Sequence, residues 1–111
     1  MTATRLTTSS HAGITVLGPE GEFDFSTLSV LRTALNDSLA SDGRVILDLS
    51  GLTFADSSVL GLFAGSAQQA RSTGGWLRLV SPQRPIERML RITSLDTVLP
   101  VFASVELAAA T

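Results

Sequence analysis

The order of elements written into this 111-residue chain predicts a single α/β domain, with short strands first and then helix, strand, helix, strand, helix and strand. Three observations predict it. Apolar residues recur at three- and four-residue spacing in three separate stretches, the mark of helices with one buried face. Between those stretches lie compact aliphatic runs, Val45-Ile46-Leu47-Asp48-Leu49 and Trp76-Leu77-Arg78-Leu79-Val80, that read as strands. Apolar residues make up 44% of the chain against 16% charged, which is enough to build a packed core rather than a disordered tail. Right-handed crossovers between such strands then place helices on at least one face of a sheet.

Taken in order, residues 2–8 and 14–17 read as adjoining strands, with Ser9, Ser10 and Gly13 forming the turn and His11 inside it. Gly18-Pro19-Glu20-Gly21 has turn chemistry, and Glu22-Phe23-Asp24-Phe25 reads as a brief third strand. Ser26 or Thr27 is the expected N-cap of a helix carrying Leu28, Leu31, Leu35 and Leu39 on one face and closed by Ser41-Asp42-Gly43. The run at 45–49 fits a central strand covered on both sides. Residues 50–54 form a connection, and a second helix starts beside Ser57, burying Val59, Leu60, Phe63, Ala67 and Ala70 until Ser72-Thr73-Gly74-Gly75 stops it. After the strand at 76–80, Pro82 and Pro85 introduce a third helix holding Ile86, Met89 and Leu90. Val101-Phe102 reads as a last short strand, and residues 106–111 are expected to fray. No repeat, low-complexity tract or linker interrupts this plan.

Composition removes several function classes. Without cysteine there is no disulfide framework, thiolate cluster or cysteine nucleophile. Residues 1–10 lack the apolar core of a secretory signal, so a cytoplasmic chain is expected. The longest nearly apolar run, residues 59–67, falls far short of the roughly 20 residues that span a bilayer, so no membrane insertion is expected. A net charge of -2, with no basic cluster evident on a short segment, argues against direct nucleic-acid binding. All eight cationic residues are arginine, which codon composition in an alanine-rich chain explains, and the absence of lysine rules out a P-loop. His11 is the only histidine and no G-x-S-x-G elbow exists, so a hydrolytic triad has no base. The ten carboxylates are scattered, with Asp24, Asp48 and Asp56 the only conceivable group, so neither a metal nor a cofactor nor a catalytic residue is expected. Gly61 and Gly65, four residues apart, read as a close approach of the second helix to the sheet.

The informative stretch is Asp48-Leu49-Ser50-Gly51-Leu52-Thr53-Phe54-Ala55-Asp56-Ser57-Ser58, a buried strand leading through a loop to hydroxyls at a helix start. Helix capping alone accounts for such residues, with Asp56 or Ser57 accepting from free amides. The same geometry suits a switch, because a phosphoserine at a helix N-terminus meets N–H groups and the favourable end of the dipole. It would add about -1.5 to -2 charges beside Asp56.

Three motifs raise the second reading. Gly21-Glu22-Phe23-Asp24-Phe25-Ser26-Thr27 is similar to a G-E-[LF]-D segment, Asp48-Leu49-Ser50-Gly51-Leu52 to D-L-S-x-[LV], and Asp56-Ser57-Ser58 to D-[ST]-[ST]. In this order they resemble the anti-sigma-factor antagonists of the STAS domain family, over nearly the entire chain. The resemblance implies one STAS-type domain over residues 1–111, a mixed sheet of about four to five strands with helices mainly on one face. It implies that Ser57 is the phosphate acceptor, with Ser58 a secondary one, and that Asp24, Asp56, Ser57, Ser58 and Val59 form the docking face. The implied partner is an anti-sigma factor that is also a serine protein kinase, with a serine phosphatase as a further partner, and the chain itself is a monomer or weak dimer without catalytic activity. Val59 departs from the glycine that many relatives carry there, and its β-branch restricts the backbone. Two other readings stay open: a STAS scaffold or regulatory subunit of a transporter or stress-signalling complex, and a small-molecule or nucleotide site at the strand ends.

Overall fold

The computed structural model describes residues 4–110, and period-two alternation along its central strands explains the architecture. In chain order the elements are β1 Arg5–His11, β2 Ile14–Phe23, α1 Leu28–Asp42, β3 Arg44–Asp48, β4 Leu52–Ala55, α2 Ser57–Ser72, β5 Trp76–Val80, α3 Arg84–Ile92, β6 Val101–Phe102 and α4 Val105–Ala109, with a 3-10 turn at Leu95–Thr97 before β6. The strands form one mixed six-stranded sheet in the order β1-β2-β3-β5-β6, with β4 also paired to β2. Among the described residues only the β1–β2 hairpin is antiparallel.

Val45 and Leu47 of β3, with Leu77 and Leu79 of β5, enter the larger core beneath α1, α2 and α3. Ile46 and Val80 point to the opposite face, where Ile14, Val16 and Ala108 of α4 complete a smaller core. Three helices therefore lie on one face and the short α4 on the other, which is why β3 reads as apolar throughout. The helix faces agree with the spacing: Leu28, Leu31 and Leu35 of α1 and Val59, Leu60, Phe63, Ala67 and Ala70 of α2 are all buried.

Four expectations change. Gly18-Pro19-Glu20-Gly21 is not a turn but the middle of the ten-residue β2, and Glu22-Phe23 ends that strand rather than starting another. Pro19 is tolerated because it lies between the last pairing of β2 with β3, at Leu17, and the first with β4, at Gly21. The ladder changes partner there, so a missing N–H is least costly. The supposed connection at 50–54 contains β4, whose Leu52 and Ala55 face the core while Thr53 and Phe54 are exposed. The hairpin turn is tighter than expected: His11 is the last residue of β1, and Ala12 and Gly13, with φ of 53° and 81°, make the turn between the strands. Residues 105–109 form α4, capped by the Ser104 side chain accepting from the Leu107 N–H, instead of fraying. Residues 2 and 3 of the first expected strand and residue 111 lie outside the described residues.

Candidate functional site

The parallel sheet sends two loops to the same end of the molecule: the one that follows β2 and the one that joins β4 to α2. Pairing of Phe23 with Ala55 sets Asp24 and Asp56, the next residues of the two strands, side by side. Each aspartate then organises its own loop through local N–H donors.

Asp24 Oδ1 accepts from Ser26 N at 2.9 Å, Ser26 Oγ at 2.6 Å and Thr27 N at 3.3 Å. Thr27 occupies the N-cap position of α1, but its side chain makes no cap hydrogen bond; Oγ1 instead accepts from the Asp24 N–H at 3.0 Å. Asp24 therefore braces the approach to α1, the task expected of Ser26 or Thr27.

Asp56 is the N-cap of α2. Its Oδ1 accepts from Ser58 N at 3.1 Å, Val59 N at 3.2 Å and Ser58 Oγ at 2.5 Å, while Oδ2 accepts from Phe25 N at 3.1 Å. That last bond joins two motif segments 31 residues apart in sequence. The hydrogen bonds of Ser58 hold the Asp56 carboxyl below its ordinary value of 3.8, and those of Ser26 do the same for Asp24, with the nearby Asp56 charge opposing the shift at Asp24. Both are anionic near neutral pH, and neither forms a salt bridge among the described residues.

The two serines are now distinct. Ser58 is half-buried, with its hydroxyl committed to Asp56. Ser57 is exposed at the first position of α2, and its hydroxyl makes no hydrogen bond among the described residues. Capping falls to Asp56 and not to Ser57, and the amides of Ser58 and Val59 that a phosphate could have used are already taken.

Val59, expected on the docking face, is fully buried in the core, where it anchors the first turn of α2 and offers no side chain to a partner. Gly61 and Gly65 are exposed, and a Cβ at either would meet nothing within 4 Å, so they do not mark a close approach to the sheet. Phe25, 78% exposed in the loop after β2, and Phe54, 50% exposed on β4, stand beside the aspartates and escaped the sequence reading. Glu22-Phe23-Asp24-Phe25 reads as a brief strand in the sequence, but the strand ends at Phe23 and Phe25 falls in the turn that follows. Asp48, the third carboxylate considered for a metal, accepts from Ser50 N at 3.1 Å, and no group of three potential metal ligands converges among the described residues. Among the described residues no helix is long and apolar enough to cross a membrane.

An anti-sigma F factor antagonist of Paenibacillus polymyxa is 26% identical, over 83% of this chain and 80% of its own length. Among solved structures, an anti-sigma factor antagonist from Mycobacterium paratuberculosis superposes with a TM-score of 0.86 at 23% identity, covering 97% of this chain and 92% of that one. The Bacillus cell fate determinant SpoIIAA in its phosphorylated form superposes at 0.72 with 21% identity, covering 97% of each. The STAS domain family model matches residues 5–108, nearly the full length, and the chain belongs to the STAS domain family.

Proposed function

We propose that this protein is an anti-sigma factor antagonist whose unphosphorylated form binds an anti-sigma factor that is also a serine kinase, so releasing the sigma factor, and that phosphorylation of Ser57 ends the interaction. The observation that carries the reading is the division of labour at the start of α2. Asp56 caps the helix and Ser58 is tied to it, which leaves the Ser57 hydroxyl exposed and unbonded for transfer of a phosphoryl group. The docking face is Asp24, Asp56, Ser57 and Ser58, flanked by the exposed Phe25 and Phe54. A serine phosphatase resets the switch.

The off state follows from charge. A phosphate on Ser57 adds about -1.5 to -2 charges next to two carboxylates held in their ionised form. With the Ser58 and Val59 amides engaged by Asp56, little of that charge is absorbed by the helix end. Docking would bury it without a partner, and the complex loses affinity. A change of about 5- to 150-fold corresponds to the usual range of coupling between a modification and a binding event.

Titration of the cognate kinase with three forms tests this. Ser57→Ala is expected to bind as the unmodified protein does and to resist ATP, whereas Ser57→Asp is expected to bind at least about fivefold more weakly. Equal affinity of all three forms would leave a constitutive STAS scaffold as the better reading.

A further inference from the structure

The helix α3, Arg84–Ile92, carries a feature that the Ser57 switch does not use. Its inner side, Ile86 and Leu90, is buried in the main core. Arg84, Arg88 and Arg91 follow one another at four- and three-residue spacing, which puts three guanidinium groups on one exposed side of the helix. They line a shallow depression of about 480 Å³ together with Glu87. The basic cluster absent from a linear scan of the sequence is created by helix periodicity.

These arginines differ from most of the others. Arg5 pairs with Glu20, Arg44 with Asp42, Arg71 donates to the Val98 carbonyl, and Arg78 donates to the Ala108 carbonyl and stacks on Trp76. Arg84, Arg88 and Arg91 make no hydrogen bond or ion pair among the described residues. Arg84 is placed against the helix dipole, whereas Arg91 in the last turn agrees with it. Arg84 sits at the first position of α3, the positive end of the helix dipole, and Arg84 and Arg88 are like charges four residues apart.

We infer that this face of α3 docks an acidic segment of a partner protein. The three arginines span about 10 Å along the helix, too far for one phosphate to reach but matched by carboxylates spaced three or four residues apart on a helix. Ile92, 74% exposed just beyond Arg91, supplies an apolar anchor at the end of the row. Glu87 within the row, and a chain that is acidic overall, disfavour the dense phosphate arrays of a nucleic acid or an anionic membrane. The depression shares no lining residue with the Ser57 face, so binding here is expected to persist in Ser57→Asp, and failure of either proposal leaves the other standing.

The test uses a fluorescein-labelled helical peptide with three glutamates at three- and four-residue spacing and one leucine, against the same peptide with glutamine in place of glutamate. Anisotropy titrations at low salt compare the intact protein, the triple variant Arg84→Gln, Arg88→Gln, Arg91→Gln, and the control Arg32→Gln on α1. The expected result is a preference for the glutamate peptide of about tenfold or more that shrinks with added salt, survives Arg32→Gln and disappears in the triple variant. Exposed substitutions of this kind leave folding intact, which far-ultraviolet circular dichroism verifies. Equal binding of the two peptides, retention in the triple variant, or tighter binding to duplex DNA or phosphatidylserine vesicles than to the peptide would overturn the inference.

Discussion

Asp56 accepts four hydrogen bonds, from Ser58 N, Ser58 Oγ, Val59 N and Phe25 N, so one carboxylate starts α2, immobilises one serine and ties down the neighbouring loop. The depressed pKa of Asp56 has a signed consequence. Because the folded value lies below 3.8, the stability it contributes is fully present above that pH and is lost as the pH falls through the folded value. Asp24 acts in the same direction in the same acidic window. Melting temperatures followed from about pH 6 to about pH 2 are expected to show an advantage of the wild type over Asp56→Asn that narrows only below the ordinary carboxylate range. A gap that stays constant across the range would contradict the assignment. At this scale the motif aspartates and serines were legible in the sequence, because capping chemistry is local. The preference for Ser57 over Ser58 came from the family resemblance and not from capping chemistry, since which hydroxyl turns toward Asp56 is a matter of geometry. The burial of Val59 was legible from helical spacing and conflicts with its place on the docking face, whereas the exposure of Phe25 depends on where the strand ends, which a linear pattern does not locate.

Helices were easier to read than strands, for a physical reason. The faces of α1 and α2 repeat over four turns, whereas β4 has four residues and only Leu52 and Ala55 buried, too few to show a period. The Gly18-Pro19 pair looks like a turn because its acceptance within β2 depends on the change of partner from β3 to β4, a long-range event. Glycines on the two helix-to-strand junctions and on α2 separate packing from tolerance. A Cβ on Gly75, at the entry to β5, would lie 1.8 Å from the Gly43 carbonyl oxygen, so Gly75→Ala is expected to destabilise the fold by about 2 kcal/mol or more, read from chemical denaturation. Gly61→Ala, with nothing within 4 Å, is expected to stabilise α2 by about 0.5–1 kcal/mol. Loss of stability in Gly61→Ala would mean that the outer face of α2 is more crowded than described. At the β1–β2 turn, Ala12 adopts φ of 53°, a conformation that asparagine accepts more readily, so Ala12→Asn is expected to raise stability by up to about 1 kcal/mol in the same assay.

For the molecule as a whole, the sheet divides two unequal cores, and β3 contributes to both through Val45 and Leu47 on one side and Ile46 on the other. Leu47 is fully buried under the helices, and Leu47→Ala is expected to cost about 2–5 kcal/mol through lost contacts and the cavity left behind. The α/β order and the main helical layer were legible from alternation and periodicity. The sixth strand and α4 on the second face were not, because β4 and α4 are short elements held by contacts distant in sequence. What this architecture delivers is an end of the sheet on which two loops meet and the exposed Ser57 hydroxyl is left without a hydrogen bond among the described residues. The most direct test of the proposed switch is intact mass and peptide mapping after incubation with ATP and candidate anti-sigma kinases, with Ser57→Ala as control. The account predicts a single phosphate confined to Ser57 and absent from the Ser57→Ala protein; a phosphate on Ser58, or stable complex formation with no phosphate at all, would contradict it.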